Sequence, residues 1–170
     1  MSNIIRLDSS SPVDTWLEMQ NGLTDVLINT ILLSGSFLAK TIDEKRLIVW
    51  LAEKDQTLGI GTVGFDVCNM PWNPDTFCEN KAFMLRVIQE AENKLGWEKL
   101  DYEPNVELLI PCLKKFASFI SNINISHVDA NILKDWIALA DEKDPINCNF
   151  PRCKKHHTLL TFLGCQLCNR

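Results

Sequence analysis

The sequence predicts an all-α protein, a bundle of about five helices followed by a small C-terminal hairpin. Apolar residues return at intervals of three or four along most of the chain, as they do on the buried face of a helix. Capping residues and prolines stand where these segments begin. The hydrophobic fraction of 46% and the charged fraction of 23% are ordinary for a globular protein.

The first two predicted helices carry clear start signals. Ser11 and Pro12 provide an N-cap hydroxyl and a proline at the first helical position. The segment Ser34-Gly35-Ser36 is predicted to end that helix. In the segment TIDE, the hydroxyl of Thr41 can accept from the amide of Glu44 while the Glu44 carboxylate reaches back, which is a capping box. A second helix is therefore predicted to follow Thr41.

Three further helices are predicted after residue 72. The third begins at Asn73 and runs to Gly96, a residue that favours the end of a helix. The fourth contains Pro111, which predicts either a kink there or a start nearer Ile110. The fifth begins near Ser126. A connection rich in glycine, at residues 56–72, joins the second and third helices.

Charge divides the chain into two predicted domains. All 22 acidic residues and 13 of the 17 basic residues precede Pro145, which gives residues 1–144 a net charge of −9. Residues 145–170 have no acidic residue and a charge of +4 from Arg152, Lys154, Lys155 and Arg170. We therefore expect an acidic helical domain at 1–144 and a basic module at 145–170 packed on it.

Two pairs of potential metal ligands lie near the carboxyl end. Cys153 and His156 are separated by two residues, as are Cys165 and Cys168. That spacing lets two side chains of one tight turn take adjacent corners of a tetrahedron around Zn²⁺. The intervening segment HTLLTFLG has room for a hairpin, and its central residues favour β-strand. Residues 153–168 resemble a small zinc knuckle or zinc ribbon, and that resemblance implies a structural Zn²⁺.

Two other residues could replace His156 as the fourth ligand. Cys148 precedes Cys153 by five residues and would make the site all-cysteine, and His157 is adjacent to His156. We prefer His156 because only this residue repeats the two-residue spacing. The cysteines at 68, 78 and 112 lie among apolar residues and are expected to fill the core.

The predicted metal is structural, and no catalytic residue is identified. A catalytic zinc has three protein ligands, an open position and a nearby group that moves protons. This cluster offers at least four ligands, and no acidic residue follows Asp144. Basic neighbours at 152, 154 and 155 favour the thiolate form that binds metal.

The segment GIGTVG at Gly59–Gly64 matches a dinucleotide-binding pattern by its letters alone. That motif requires a preceding strand and a following helix. Here the preceding residues close a predicted helix, and the following residues contain two prolines. No nucleotide is therefore expected. We interpret the segment as a connection or short hairpin, with Val63, Phe65 and Val67 alternating into the core.

The sequence also predicts where in the cell the protein is located. Its most apolar run, Val26–Leu33, is too short to cross a bilayer, so no membrane association is expected. Seven cysteines without an export signal favour reduced thiols or metal ligands, and thus the cytoplasm.

Three functions are consistent with these observations. The first is a non-enzymatic module that binds another, cationic protein, as an immunity or antitoxin-type protein does. The second is a nucleic-acid-associated regulator that uses the basic zinc knuckle. The third is an enzyme whose site lies unrecognised in the helical domain. A polar cavity holding a carboxylate with a raised pKa, near Gly59–Gly64, would favour the third.

Overall fold

The protein is mostly helical and carries a small β-sheet. A computed structural model describes residues 2–54 and 64–169. The α-helices in these residues are α1 (Asn21–Leu38), α2 (Ile42–Glu53), α3 (Phe77–Glu92), α4 (Val106–Asn122) and α5 (Ala130–Leu139). Within the same ranges, no helix combines the length and the apolar character needed to cross a membrane.

Helix α1 is the centre of the helical core. It packs against α2, α3 and α4, and α3 also packs against α4. Residues 27–36 of α1 are buried without interruption. A helix that is buried all round is one surrounded by other elements. Several polar side chains on its buried turns form hydrogen bonds, as when the Ser34 hydroxyl donates to the Val87 carbonyl at 2.9 Å.

The prediction that the fold is purely α-helical is wrong at the amino end. Strands β1 (Ser2–Arg6), β2 (Leu17–Gln20) and β3 (Phe65–Asp66) form a sheet in the order β2-β1-β3. Strand β1 pairs antiparallel with β2 and parallel with β3. Leu17 and Met19 are buried and their neighbours exposed, the alternation of a half-buried strand. The helix predicted to start at Ser11 therefore begins only at Asn21. The sequence did not reveal this because four residues are too few to distinguish the alternation of a strand from the spacing of a helix.

The end predicted for α1 at Ser34-Gly35-Ser36 is also wrong. The helix continues to Leu38 because Gly35 serves packing instead of termination. A Cβ at Gly35 would overlap the side chain of Ile48 on α2, which is fully buried. The missing side chain therefore lets α1 and α2 approach closely.

Other start signals are confirmed. The capping box of α2 forms, with the Glu44 amide donating to Thr41 Oγ1 at 3.2 Å and the Thr41 amide donating to Glu44 Oε2 at 2.9 Å. Asn73 caps a 3₁₀ turn at Pro74–Thr76 that leads into α3.

Helix α4 begins well before its proline. Asn105 caps it through the Leu108 amide, so a start nearer Ile110 is wrong and Pro111 lies inside the helix. The missing N–H of Pro111 removes the helical partner of the Glu107 carbonyl. Glu107 is exposed, and water can bond that carbonyl there.

Residues 145–169 contain short turns and bridges. Isolated antiparallel bridges join Arg152 to Leu159 and Thr161 to Gly164, where the sequence favoured continuous strand. Phe150 and Leu159 belong to the same hydrophobic cluster as the helices. The C-terminal segment therefore shares the core of the body.

The glycine-rich connection lies largely outside the described residues. The predictions for Gly59 to Val63 fall on residues 55–63, which the structure does not describe. Phe65 and Val67, just beyond them, are buried as predicted.

Close packing at Gly35 leads to a stability prediction. Gly35→Ala is expected to lower the free energy of unfolding by about 1–3 kcal/mol, because the new methyl group overlaps buried Ile48. Gly22→Ala is the matched control, since nothing lies within 4 Å of a Cβ there; stability should be unchanged or rise by up to about 1 kcal/mol. Chemical denaturation measures both.

A double-mutant cycle tests the contact itself. Ile48→Val removes the Cδ1 atom that the new methyl group would meet. The combined variant Gly35→Ala, Ile48→Val should therefore lose less stability than the two single changes added together. Additive losses would contradict the proposed contact.

Candidate metal centre

Four side chains near the carboxyl end converge on one point. The Sγ atoms of Cys153, Cys165 and Cys168 and a ring nitrogen of His156 all lie within 4.8 Å of one another. The Nδ1 atom of His156 is 3.7, 3.5 and 3.4 Å from these three sulfurs, in the order given. The Sγ atoms of Cys153 and Cys168 are 3.7 Å apart. The structure thus brings together the four ligands that the sequence predicted, as a cluster able to hold a metal ion.

Each ligand pair is held by its own backbone turn. In the first, the His157 amide donates to the Cys153 carbonyl at 2.8 Å, and the His156 amide points at Cys153 Sγ at 3.4 Å. In the second, the Cys168 amide donates to the Cys165 carbonyl at 3.2 Å. The chain reverses direction within three residues in both turns, which places the two ligands of each pair on the same side.

The segment between the pairs brings the two turns face to face. The Cys153 amide donates to the Thr158 carbonyl at 2.8 Å, and Thr161 and Gly164 exchange backbone bonds of 3.0 and 2.8 Å. Gly164 has φ of +94°, a left-handed conformation that favours glycine. Phe162 and Leu163 occupy the tip of this reversal and are exposed.

The hairpin is tied to the helical body through Ser36, near the end of α1. The Leu159 amide donates to Ser36 Oγ at 3.0 Å, and the Arg152 guanidinium donates to the Ser36 carbonyl. Leu159 itself is fully buried in the core. The ligand cluster therefore lies on the body instead of extending from it.

The two alternative ligands are not members of the cluster. The thiol of Cys148 is exposed and points to the carbonyl of Glu142 at 3.4 Å. His157 is exposed and has a positive φ of 59°. The geometry therefore favours His156, the ligand selected by spacing.

The local environment favours a thiolate at Cys153. Burial acts to raise the pKa of this thiol, but hydrogen bonds from the amides of His156 and Lys155, with help from Cys165, outweigh it and lower the pKa to about 6. Hydrogen bonding to Cys153 raises the pKa of Cys168 to about 11. The two thiols in contact thus differ in acidity, and a thiolate at Cys153 is the form of cysteine that binds a metal ion.

The sequence did not reveal a second feature, a cavity of about 470 Å³ that Phe162 of the hairpin tip helps to line. Glu53 at the end of α2 lines it, and Trp136 of α5 donates its indole N–H to Glu53 Oε2 at 3.2 Å. The remaining lining residues are Leu139, Ala140, Asp141, Lys143, Asp144 and Phe162. Glu53 ends a helix of ordinary amphipathic pattern, so no signal in the sequence marked it.

Burial changes the acidity of Glu53. Loss of solvent raises the pKa of its carboxyl to about 7, opposed by the hydrogen bond from Trp136 and by the charge of Lys54, and reinforced by Asp144. Glu53 therefore titrates near neutral pH and lines the cavity. In the sequence it stands six residues before Gly59. A cavity that holds a carboxyl of raised pKa is expected of an enzyme, but residues 59–63, near which it was predicted, lie outside the described residues.

Comparison with models of protein families, with curated proteins and with solved structures finds no match.

The raised pKa of Glu53 predicts a pH dependence of stability. The unfolded carboxyl loses its proton near its ordinary pKa of 4.5, whereas the folded one keeps it until about pH 7. The folded state therefore binds more protons between these values, and its stability falls as pH rises through them, by at most about 3 kcal/mol. Glu53→Gln should remove this fall.

The measurement is the free energy of unfolding at pH 4.5, 6 and 8 for wild type and variant. Glu107→Gln is the control, because Glu107 is exposed on α4. Subtracting variant from wild type cancels other groups that titrate in this window. A difference that does not change with pH would contradict the assignment.

Proposed function

We propose that the chain is a non-enzymatic protein-binding module whose C-terminal hairpin is shaped by a structural Zn²⁺ on Cys153, His156, Cys165 and Cys168. The observation that carries the proposal is the spacing of the four donor atoms. Bonds of about 2.3 Å to sulfur and about 2.0–2.1 Å to nitrogen, at tetrahedral angles, require sulfur–sulfur edges of about 3.8 Å and sulfur–nitrogen edges of about 3.6 Å. The three sulfur–nitrogen distances of 3.4–3.7 Å and the Cys153–Cys168 sulfur–sulfur distance of 3.7 Å fit these edges, and all donor atoms lie within 4.8 Å of one another.

The donor set supports zinc over other metals. Three thiolates and one imidazole are soft to intermediate ligands, which suit Zn²⁺ and do not suit Mg²⁺ or Ca²⁺. Lys154 and Lys155, both exposed beside the cluster, offset the net negative charge of such a complex. Four protein ligands complete a tetrahedron, so the ion has a structural role and activates no water. In this proposal the hairpin is a zinc-knuckle-like module.

The surface around the hairpin tip supports protein binding. Phe162 is 53% exposed and Leu139 is 86% exposed, and both line the cavity beside Trp136. Exposed apolar side chains next to acidic ones suit a partner that is both apolar and cationic. The charge of −9 on residues 1–144 favours the same class of partner. An immunity or antitoxin-type protein that neutralises a cationic toxin has this character.

An enzyme that uses Glu53 as a general base is the second candidate, because a carboxyl with a pKa near 7 is suited to proton transfer. The lining residues weigh against it. Among the described residues of the cavity there is no serine, threonine, cysteine, tyrosine or histidine to act with Glu53. The lining of the cavity therefore favours binding over catalysis.

The zinc proposal predicts one Zn²⁺ per chain in protein purified under reducing conditions. Cys165→Ser combined with Cys168→Ser should abolish stoichiometric metal, because only two ligands are left. Elemental analysis measures the metal, and Co²⁺ substitution reports thiolate ligation by absorption. Cys78→Ser combined with Cys148→Ser is the matched control, since both thiols are exposed and outside the cluster. Full metal content in the first variant, or none in the wild type, would contradict the site.

The protein-binding proposal predicts a stoichiometric partner in affinity capture from the native cells. Phe162→Ala should weaken that capture because it removes the exposed aromatic ring at the hairpin tip. Phe37→Ala is the control, as Phe37 is 69% exposed at the end of α1 and does not line the cavity. Recovery of chaperones alone would count against a specific partner.

The alternative function, binding of nucleic acid, predicts a different dependence on salt and on the basic residues. It requires binding that weakens steeply with salt and is abolished by Lys154→Glu with Lys155→Glu. Arg152 adds little to a basic surface that would bind nucleic acid, because its guanidinium is already bonded to the carbonyls of Ser36 and His157. Salt-dependent retention on nucleic acid that this pair of substitutions removes would favour the alternative.

A further inference from the structure

The cavity beside the hairpin has the form of a ligand pocket. Its volume of about 470 Å³ falls in the ordinary range for pockets that accept a small group. In the part of the chain that the structure describes, it is lined by the end of α2, by α5 with the loop that follows, and by the hairpin tip. Because Phe162 comes from between the two ligand pairs, the wall it provides depends on the hairpin.

The lining is divided between charge and aromatic surface. Among the described lining residues, Glu53, Asp141 and Asp144 supply carboxyl groups and Lys143 supplies one ammonium. Trp136 and Phe162 supply aromatic surface, and the Trp136 indole N–H is engaged by Glu53. Carboxylates beside aromatic rings bind organic cations through hydrogen bonds and cation–π contacts. An anion would meet the acidic side chains of this lining, and a neutral apolar group would gain nothing from them.

We propose that the cavity lined by Glu53, Trp136 and Phe162 receives an arginine side chain of the partner protein. A guanidinium can lie flat against an aromatic ring while its edge donates two hydrogen bonds to a carboxylate, which an ammonium does not do equally well. The apolar part of the arginine chain suits Leu139 and Ala140. This inference rests on the proposed protein-binding function and names the chemistry that the partner must present.

The first experiment uses a small probe. Protein labelled with ¹⁵N is titrated with Nα-acetyl-arginine amide, and the indole N–H signal of Trp136 is followed after assignment with Trp136→Phe. Nα-acetyl-citrulline amide is the control because it has the same shape without the charge. We expect a saturable shift with the arginine probe and none with the citrulline probe. Equal shifts with both probes, or no shift with either, would overturn the inference.

Variants of the carboxyl group complete the test. Glu53→Gln keeps the size of the side chain and an oxygen that can accept from Trp136, and Glu107→Gln serves as the exposed control. Glu53→Gln should weaken binding of the arginine probe and of the captured partner by at least about tenfold, whereas Glu107→Gln should leave both unchanged. Thermal unfolding of each variant verifies that the fold is retained. Undiminished binding by folded Glu53→Gln would overturn the inference.

The two proposals fail in different ways. A partner that binds wild type and Glu53→Gln equally would overturn the arginine pocket and leave the protein-binding function standing. Arginine-probe binding that Glu53→Gln removes supports the pocket even where capture recovers no stoichiometric protein, and that second result counts against the protein-binding function alone.

Discussion

The arrangement of the C-terminal segment depends on three sulfurs and one imidazole nitrogen held within 4.8 Å of one another. Within this cluster, amide hydrogen bonds favour a thiolate at Cys153, and thiolates with an imidazole form a set of donors that can hold a metal ion. Two tight turns present the donors, and contacts from Leu159 and Arg152 to Ser36 position the turns on α1. The cluster thus links the chain end to the most buried helix of the core.

The sequence predicted the cluster well because its signal is local. A separation of two residues within each pair defines which side chains share a turn, and it selected His156 over Cys148 and His157 without reference to the rest of the fold. The capping box at Thr41 and Glu44 was predictable for the same reason, since all its atoms lie within one helical turn. An interaction whose partners both lie within a few residues can be predicted from the sequence without knowledge of the tertiary structure.

Features set by distant contacts were not predictable. Strands β1 and β3 pair although about sixty residues separate them, and Arg6 stands opposite Asp66 in their register and forms an ion pair with it. Strand β3 has only two residues, too few to leave a pattern in the sequence. Gly35 has the appearance of a helix end, yet its role is set by Ile48 on another helix. Glu53 owes its raised pKa to burial, and the Trp136 indole that donates to its carboxyl lies on α5, far along the chain. In each case the decisive neighbour lies far away in the sequence.

The proposed zinc site and the proposed arginine pocket are physically connected through Phe162. This residue lies between the two ligand pairs, and its ring forms one wall of the cavity that holds Glu53. A metal that orders the hairpin therefore also orders that wall, and part of the entropy lost on partner binding is already lost in the metal-bound protein. Linkage is reciprocal, so a partner that contacts Phe162 must in turn strengthen metal binding by the same factor. In the two proposals taken together, the ion would act on recognition indirectly, by ordering the hairpin tip that forms one wall of the cavity.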